Sequence, residues 1–331
     1  VEPDRPTEPT DHPTEAALSP AANDPEAGPL TLGDAARSAI EKHFAKACGR
    51  ESAVLADKDP EDLHQMRVAL RRLRSAAQGF AVAIDLPKRA GDRAVGQVAQ
   101  ILGNLRDLDV MDEALRDRYS PNLPDVEQPL LQSVRDELLA QRKKALNQVT
   151  KTLKRREWPP LKQAISTWID RPKLRPAADW PAAIVVPDLL LPPVCHWLMH
   201  PGWLVRCEDR AIGDLSLLEW AVVHDLRKMA KRVRYQMALF TEFYGSDYGR
   251  SLADIGNVQT VLGDLQDMTV LETFLARVLG LHWADEAPVW ARLLERQRDR
   301  TWHDWQRLQQ QFDEPGERER LRHIINRPRR D

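Results

Sequence analysis

This chain of 331 residues is short of several things, and each shortage excludes a class of protein. Its 3 cysteines, Cys48, Cys195 and Cys207, are too few and too scattered for a disulfide framework, which suits a reducing compartment. No apolar stretch follows a basic start, and no apolar run is expected to approach the ~18 residues of a membrane span. The expectation is a soluble, cytosolic protein that makes no membrane contact. Aromatics are only 6% of residues, and no useful length of chain alternates apolar with polar apart from Ala183–Val186, which disfavours a β-fold. A Walker A loop, an RHG motif and a dense carboxylate cluster for two metals are missing, so the usual equipment for phosphoryl transfer is lacking. The net charge is only −2, so no global field attracts a polyanion.

What is present is segregated. Residues 1–30 hold seven acidic side chains, one basic side chain and seven prolines. Such a segment cannot offset its ordering entropy and is expected to be disordered. Further on, one basic cassette occurs twice: HQMRVALRRLRSAAQGF at His64–Phe80 and HDLRKMAKRVRYQMALF at His224–Phe240. A second motif follows each copy, LGNLRDLDV at Leu102–Val110 and LGDLQDMTV at Leu262–Val270. The offset is the same for both, 224 − 64 = 160 and 262 − 102 = 160, which implies a duplicated unit.

Helical periodicity begins near Thr31. Asp59-Pro60-Glu61 reads as a helix start, with Asp59 as the cap and Pro60 in the first turn. Helices are expected over 32–55, 60–86, 88–119 and 125–157, then 194–207, 215–244, 247–279 and 283–312. A short helical piece is expected near Leu161–Ile169. Recurring prolines make 171–193 a connection between two units, 31–170 and 194–325. The fold class is all-α, with a four-helix unit in each half.

At about 100° per residue, Arg67, Arg71 and Arg74 fall near −60°, −20° and −80° from His64, on one narrow face. Met66, Leu70, Leu73, Ala77 and Phe80 form the opposing apolar stripe. The second copy sets His224, Arg227, Lys231 and Arg234 against Leu226, Ala230, Val233, Met237 and Phe240. Arg72 and Arg232 lie off the row near 80°, and Lys228 adds a cation near 40°. Like charges at helical spacing repel, so two matched copies argue for anion binding over mere solubility. A row of cations about one turn apart suits a ligand that is itself a row of phosphates, with the guanidinium forks grasping its oxygens. His64 and His224 sit at the end of each row, where a nearby phosphate favours the imidazolium.

Asn104, Asp107, Asp109, Asp264 and Asp267 allow a metal site, but the favoured role is support: Asp107 and Asp267 pair with cassette cations and hold their rotamers. Cys195, His196, His200 and Cys207 fit no standard zinc spacing and read as core residues, as do Trp197, Trp203 and Trp220. No cofactor is expected.

In this order and spacing, DPEDLHQMRVALRRLRS (Asp59–Ser75) followed by LGNLRDLDV resembles the CHAD family, the conserved histidine α-helical domain. VHDLRKMAKRVRY followed by LGDLQDMTV resembles its second half, and the likeness spans about residues 31–325. The resemblance implies two four-helix bundles related by a pseudo-twofold around a basic groove or pore. It also implies binding of inorganic polyphosphate and association with polyphosphate granules. Phosphate or sulfate would serve as smaller stand-ins. The family's cationic positions carry over to His64, Arg67, Arg71, Arg72 and Arg74, and to His224, Arg227, Lys228, Lys231, Arg232 and Arg234. Arg142 and Lys143, and Arg298 in the last long helix, are expected to add charge to the same surface. Such domains often accompany a triphosphate-hydrolysing CYTH domain marked by an ExExK strand; here Glu317-x-Glu319 is followed at the decisive position by Leu321. Binding without catalysis is the expectation. The alternatives are nonspecific nucleic-acid binding, which the lack of stacking aromatics other than Tyr235 disfavours, and polyphosphate or triphosphate hydrolysis.

Overall fold

The side chain of Asp59 accepts the Glu61 N–H at 2.9 Å and starts helix α3 (Pro60–Gly79), which carries the first cassette. Its counterpart α8 (Leu217–Leu239) starts on a reciprocal cap: Ser216 accepts the Glu219 N–H while Glu219 reaches back to the Ser216 N–H. The computed structural model describes residues 30–206 and 215–329. Of the segment expected to be disordered, 1–30, all but Leu30 lies outside the described residues, as does Cys207.

In chain order the remaining helices are α1 (Leu32–Gly49), α2 (Glu51–Ala56), α4 (Asp92–Ala114), α5 (Gln128–Arg155), α6 (Trp158–Asp170), α7 (Ala182–Leu198), α9 (Ser246–Leu279), the one-turn α10 (Trp283–Glu286), α11 (Pro288–Asp313) and α12 (Pro315–Ile325). The described residues contain no strand, only two isolated bridges, so the all-α expectation holds. In the first half α1 packs on α3, α3 on α4, α4 on α5, α5 on α6 and α6 on α1. In the second half α7, α8, α9, α11 and α12 close the same cycle. Each unit is thus four long helices closed by a shorter fifth.

The apolar stripes make the core. Met66, Leu70, Leu73 and Phe80 on and just beyond α3 are buried, as are Leu226, Ala230, Val233, Met237 and Phe240 on and just beyond α8. Trp197 and Trp203 fill the second core edge to face at 5.1 Å, and Trp220 is half-buried.

Three expectations need correction. The segment 171–193 is not all connection, because α7 already begins at Ala182 and runs through Pro187, Pro192 and Pro193. Each proline removes an N–H from the ladder. The helix survives because Val185, Val186, Leu190, Val194 and Trp197 bury one face against the second unit. That same segment, Ala182–Leu204, is long and apolar enough by composition to cross a membrane, so the expectation that no run approaches that length was too strict. Finally, α3 ends at Gly79 and α4 begins at Asp92, which makes the connection between them longer than periodicity suggests.

The two halves meet through α3 and α8 and through α5 and α9. Phe80 and Phe240, related by the 160-residue offset, touch with ring centroids 5.1 Å apart. Gly79 faces Leu239 at the same offset, so closely that a Cβ on Gly79 would lie 3.1 Å from Leu239 Cδ1. Away from these contacts, the buried carboxylate of Glu127 accepts the N–H groups of Val289 and Trp290 at 2.8 and 2.9 Å, so the first unit caps a helix of the second.

Candidate functional site

Because α3 and α8 pack against each other, the cation rows of the two cassettes converge. Arg71 and Arg234 both lie over the ring of Tyr235, at 5.0 and 4.8 Å from its centroid, so one buried aromatic holds a guanidinium from each half. Lys231 stands among Arg71, Arg227 and Arg67, and burial together with these cations lowers its pKa to about 7. Burial also pulls the Arg71 guanidinium below its ordinary value, with Arg67 and Arg234 adding to the effect.

Glycines make room for this array. A Cβ on Gly103 would sit 3.3 Å from Arg67 Nη2, and one on Gly96 would sit 3.3 Å from Arg74 Cζ. In the second half Gly263 lies beneath Arg227 and Gly256 beneath Arg234, with hypothetical Cβ contacts of 3.6 Å each. All four glycines obey the 160-residue offset, as do the arginines they receive. Here glycine serves close approach by a guanidinium and not a special backbone angle. The sequence signal lies in two helix-interior glycines per repeat at a fixed distance from the cassette, which helical periodicity alone does not single out.

Two carboxylates enter the array from α4 and α9. Asp107 Oδ1 accepts from Arg67 Nη1 at 3.0 Å and also acts on Arg71 and Lys231 through space. Asp267 is an exposed residue on α9 that stands beside Arg227, Lys231 and Arg67. Its pKa is raised, first by burial and then by Asp107, against the opposing fields of Arg227, Lys231 and Arg67. Polar atoms in the array stay unused: the Arg71 Nε and Arg227 Nε donors and the His224 Nδ1 atom are buried without a hydrogen-bond partner. Burial, Arg227 and Lys228 lower the pKa of His224, which a hydrogen bond donated by the ring to Gln266 partly offsets. His64 occupies the equivalent place on α3.

Other predicted residues fall outside this centre. Arg74 forms a fork to Asp92, Nε–Oδ1 2.5 Å and Nη2–Oδ2 3.0 Å, and that bond holds the Asp92 carboxyl below its ordinary range. Arg232 is exposed and acts on the same carboxylate. Lys228 is paired within its own helix to Asp225 at 2.7 Å, and Asp225 also bonds His200 at 3.2 Å. Arg72 lines a separate hollow of ≈ 420 Å³ between α1 and α3, together with Lys46, Arg50 and Gln65. Arg142, expected on the anion-binding surface, is instead a structural clamp. Its guanidinium meets Asp57 at 2.7 and 2.8 Å and Asp109 at 2.7 Å, which engages all three nitrogens. Lys143 stands exposed beside it on α5, and Arg298 on α11 is paired with Glu272. These corrections share a cause: helical projection gives the direction of a side chain from its own axis but says nothing about which acids neighbouring helices bring.

No group of His, Cys, Asp and Glu suited to a metal ion occurs among the described residues. His200 is buried and caps a turn by accepting the Gly202 N–H at 3.0 Å, in keeping with a core role.

A helical molecule with paired cation rows meeting at the junction of two units belongs to a recognisable class. The CHAD domain family matches residues 38–276, most of the chain, and this protein belongs to that family. The match stops short of α11 and α12, within the 31–325 expected from the motifs. The fold is similar to the crystal structure of the CHAD domain from the plant Ricinus communis, with a TM-score of 0.58 and 23% identity over 91% of this chain and 94% of that one. It is also similar to PptA from Streptomyces chartreusis, with a TM-score of 0.57 and 14% identity over 86% of this chain and 100% of that one. A search of curated proteins returned no match to this chain.

Proposed function

We propose that this protein binds inorganic polyphosphate in the cleft between α3 and α8 and does not cleave it. One observation carries the reading: cations from both halves converge on one place and leave the buried Nε donors of Arg71 and Arg227 unmet. Such an array is costly without an anion, because each buried donor forgoes about 1–3 kcal/mol and the like charges repel. A phosphate chain supplies oxygens at repeated spacing, and each charge-assisted contact is worth about 1.5–3 kcal/mol. The polyphosphate association of the family names the ligand. In a cell, the protein would sit in the cytoplasm on polyphosphate granules.

Isothermal titration with long-chain polyphosphate at several salt concentrations tests the reading. Release of condensed counterions predicts that the logarithm of the affinity falls linearly with the logarithm of the salt concentration, as for other polyanions. Single-stranded DNA of equal charge is the control. Tyr235 is buried and already covered by two guanidiniums, so it is not free to stack a base. DNA binding as tight as polyphosphate binding would overturn the assignment. Steady phosphate release from polyphosphate by pure protein, abolished in an Arg71→Ala/Lys231→Ala variant, would replace binding with hydrolysis.

A further inference from the structure

We infer that Asp107 and Asp267 are the site's own counter-anions, and that a short phosphate ligand must displace Asp107 from Arg67 whereas a chain can bind through the remaining cations, which makes the site selective for chains over single phosphates. The inference rests on the polyphosphate reading and adds the source of its specificity. In the ligand-free protein Arg67, Arg71, Arg227 and Lys231 stand close enough to perturb one another, and Asp107 and Asp267 bring the opposite charge into the middle of the array. Asp107 is placed as a competitor would be. It is bonded to Arg67 at 3.0 Å, yet its side chain is 63% exposed, so the contact can be exchanged for another acceptor. Asp267 comes from the equivalent position on α9 and shares the same field.

A resident carboxylate raises the threshold for every anion, but not equally. Orthophosphate or pyrophosphate must break the Arg67–Asp107 bond, accept repulsion from two nearby carboxylates, and then reach only one or two cations. A chain can leave that bond in place and gather its contacts from the other cations of both rows, since linked units bind as an intramolecular event after the first. Specificity is a difference of affinities, and a built-in repulsive element widens it. The glycine seat supports this account. Gly103 already lets Arg67 lie flat against α4, so holding its rotamer does not depend on Asp107 alone.

Whether Asp107 competes or merely positions Arg67 is decided by the sign of one substitution. Wild type, Asp107→Asn and Asp267→Asn are titrated with orthophosphate, pyrophosphate and long-chain polyphosphate at fixed ionic strength and pH. Competition predicts that Asp107→Asn tightens pyrophosphate binding about tenfold and the long chain threefold or less, so selectivity narrows, with Asp267→Asn acting in the same direction. Weaker or unchanged pyrophosphate binding in Asp107→Asn, with the wild type still binding the chain, overturns the inference alone. A wild type that binds no chain overturns the functional reading and this inference together. Asp107→Ser, which also removes the charge, repeats the test if the amide variant does not fold.

Discussion

Phe80 and Phe240 meet edge to face at 5.1 Å, and each is the other's counterpart across the 160-residue offset. Both rings are 1% exposed, so each completes the other's burial at the point where α3 and α8 end. Phe80→Ala is expected to cost about 3–5 kcal/mol, and the double variant with Phe240→Ala less than the sum, because the two share one contact. Chemical denaturation of the three variants checks this. Full additivity would mean that the rings do not couple the halves.

Gly103→Ala should separate stability from binding. Replacing a helix-interior glycine by alanine stabilises by about 0.5–1 kcal/mol where there is room. Here the new Cβ would lie 3.3 Å from Arg67 Nη2 and push the guanidinium from its seat. The melting temperature should hold or rise while polyphosphate affinity falls severalfold. Gly263→Ala is the matched control: its Cβ would meet Arg227 at an ordinary 3.6 Å, and affinity should change little.

Lys231 makes both stability and binding depend on pH. Its pKa is lowered from 10.5 to about 7, so between those values the unfolded chain binds more protons than the folded one. Stability from this residue therefore rises as pH increases through that window. Binding runs the other way. Phosphate favours the ammonium, so affinity should decline above about pH 7 as the free protein must take up a proton. The charged groups around it are Arg67, Arg71, Arg227, Asp107 and Asp267. Titrations from pH 6 to 9 in wild type and Lys231→Arg test this; a slope that survives in the arginine variant would exclude Lys231 as its source.

His43 predicts acid sensitivity. It is buried on α1, and burial, then Arg72, Lys42 and Lys46, lower its pKa to about 3. Below the ordinary 6.5 the unfolded chain takes a proton that the folded one refuses, so stability falls by about 1.4 kcal/mol per pH unit until the folded value is reached. His43→Gln should flatten the dependence of melting temperature on pH between 6 and 4. An unaltered slope would place the sensitivity elsewhere.

Arg142→Ala should destabilise without touching the ligand. Asp57 and Asp109 would lose their partner, and Asp109 is nearly buried, so a loss of about 1–3 kcal/mol is expected. Polyphosphate affinity of the folded protein should match wild type. A large fall would return Arg142 to the binding surface.

The sequence by itself determined the helical class, the helix start at Asp59, and the division of each cassette into a cation face and an apolar stripe. These are local properties, written in side-chain period and capping chemistry, and they need no knowledge of neighbours. It misjudged α7, because proline spacing signals a break while the burial of Val186, Leu190 and Val194 is a tertiary fact. It could not sort the cations either. Arg71 and Arg142 look alike in the chain, but α8 brings Tyr235 and Lys231 to the first, and the turn at Asp57 together with α4 brings two carboxylates to the second. Charge is a property of the residue. Whether that charge is open to a ligand depends on which oppositely charged groups lie within a few ångströms, and here helices distant in sequence place those groups.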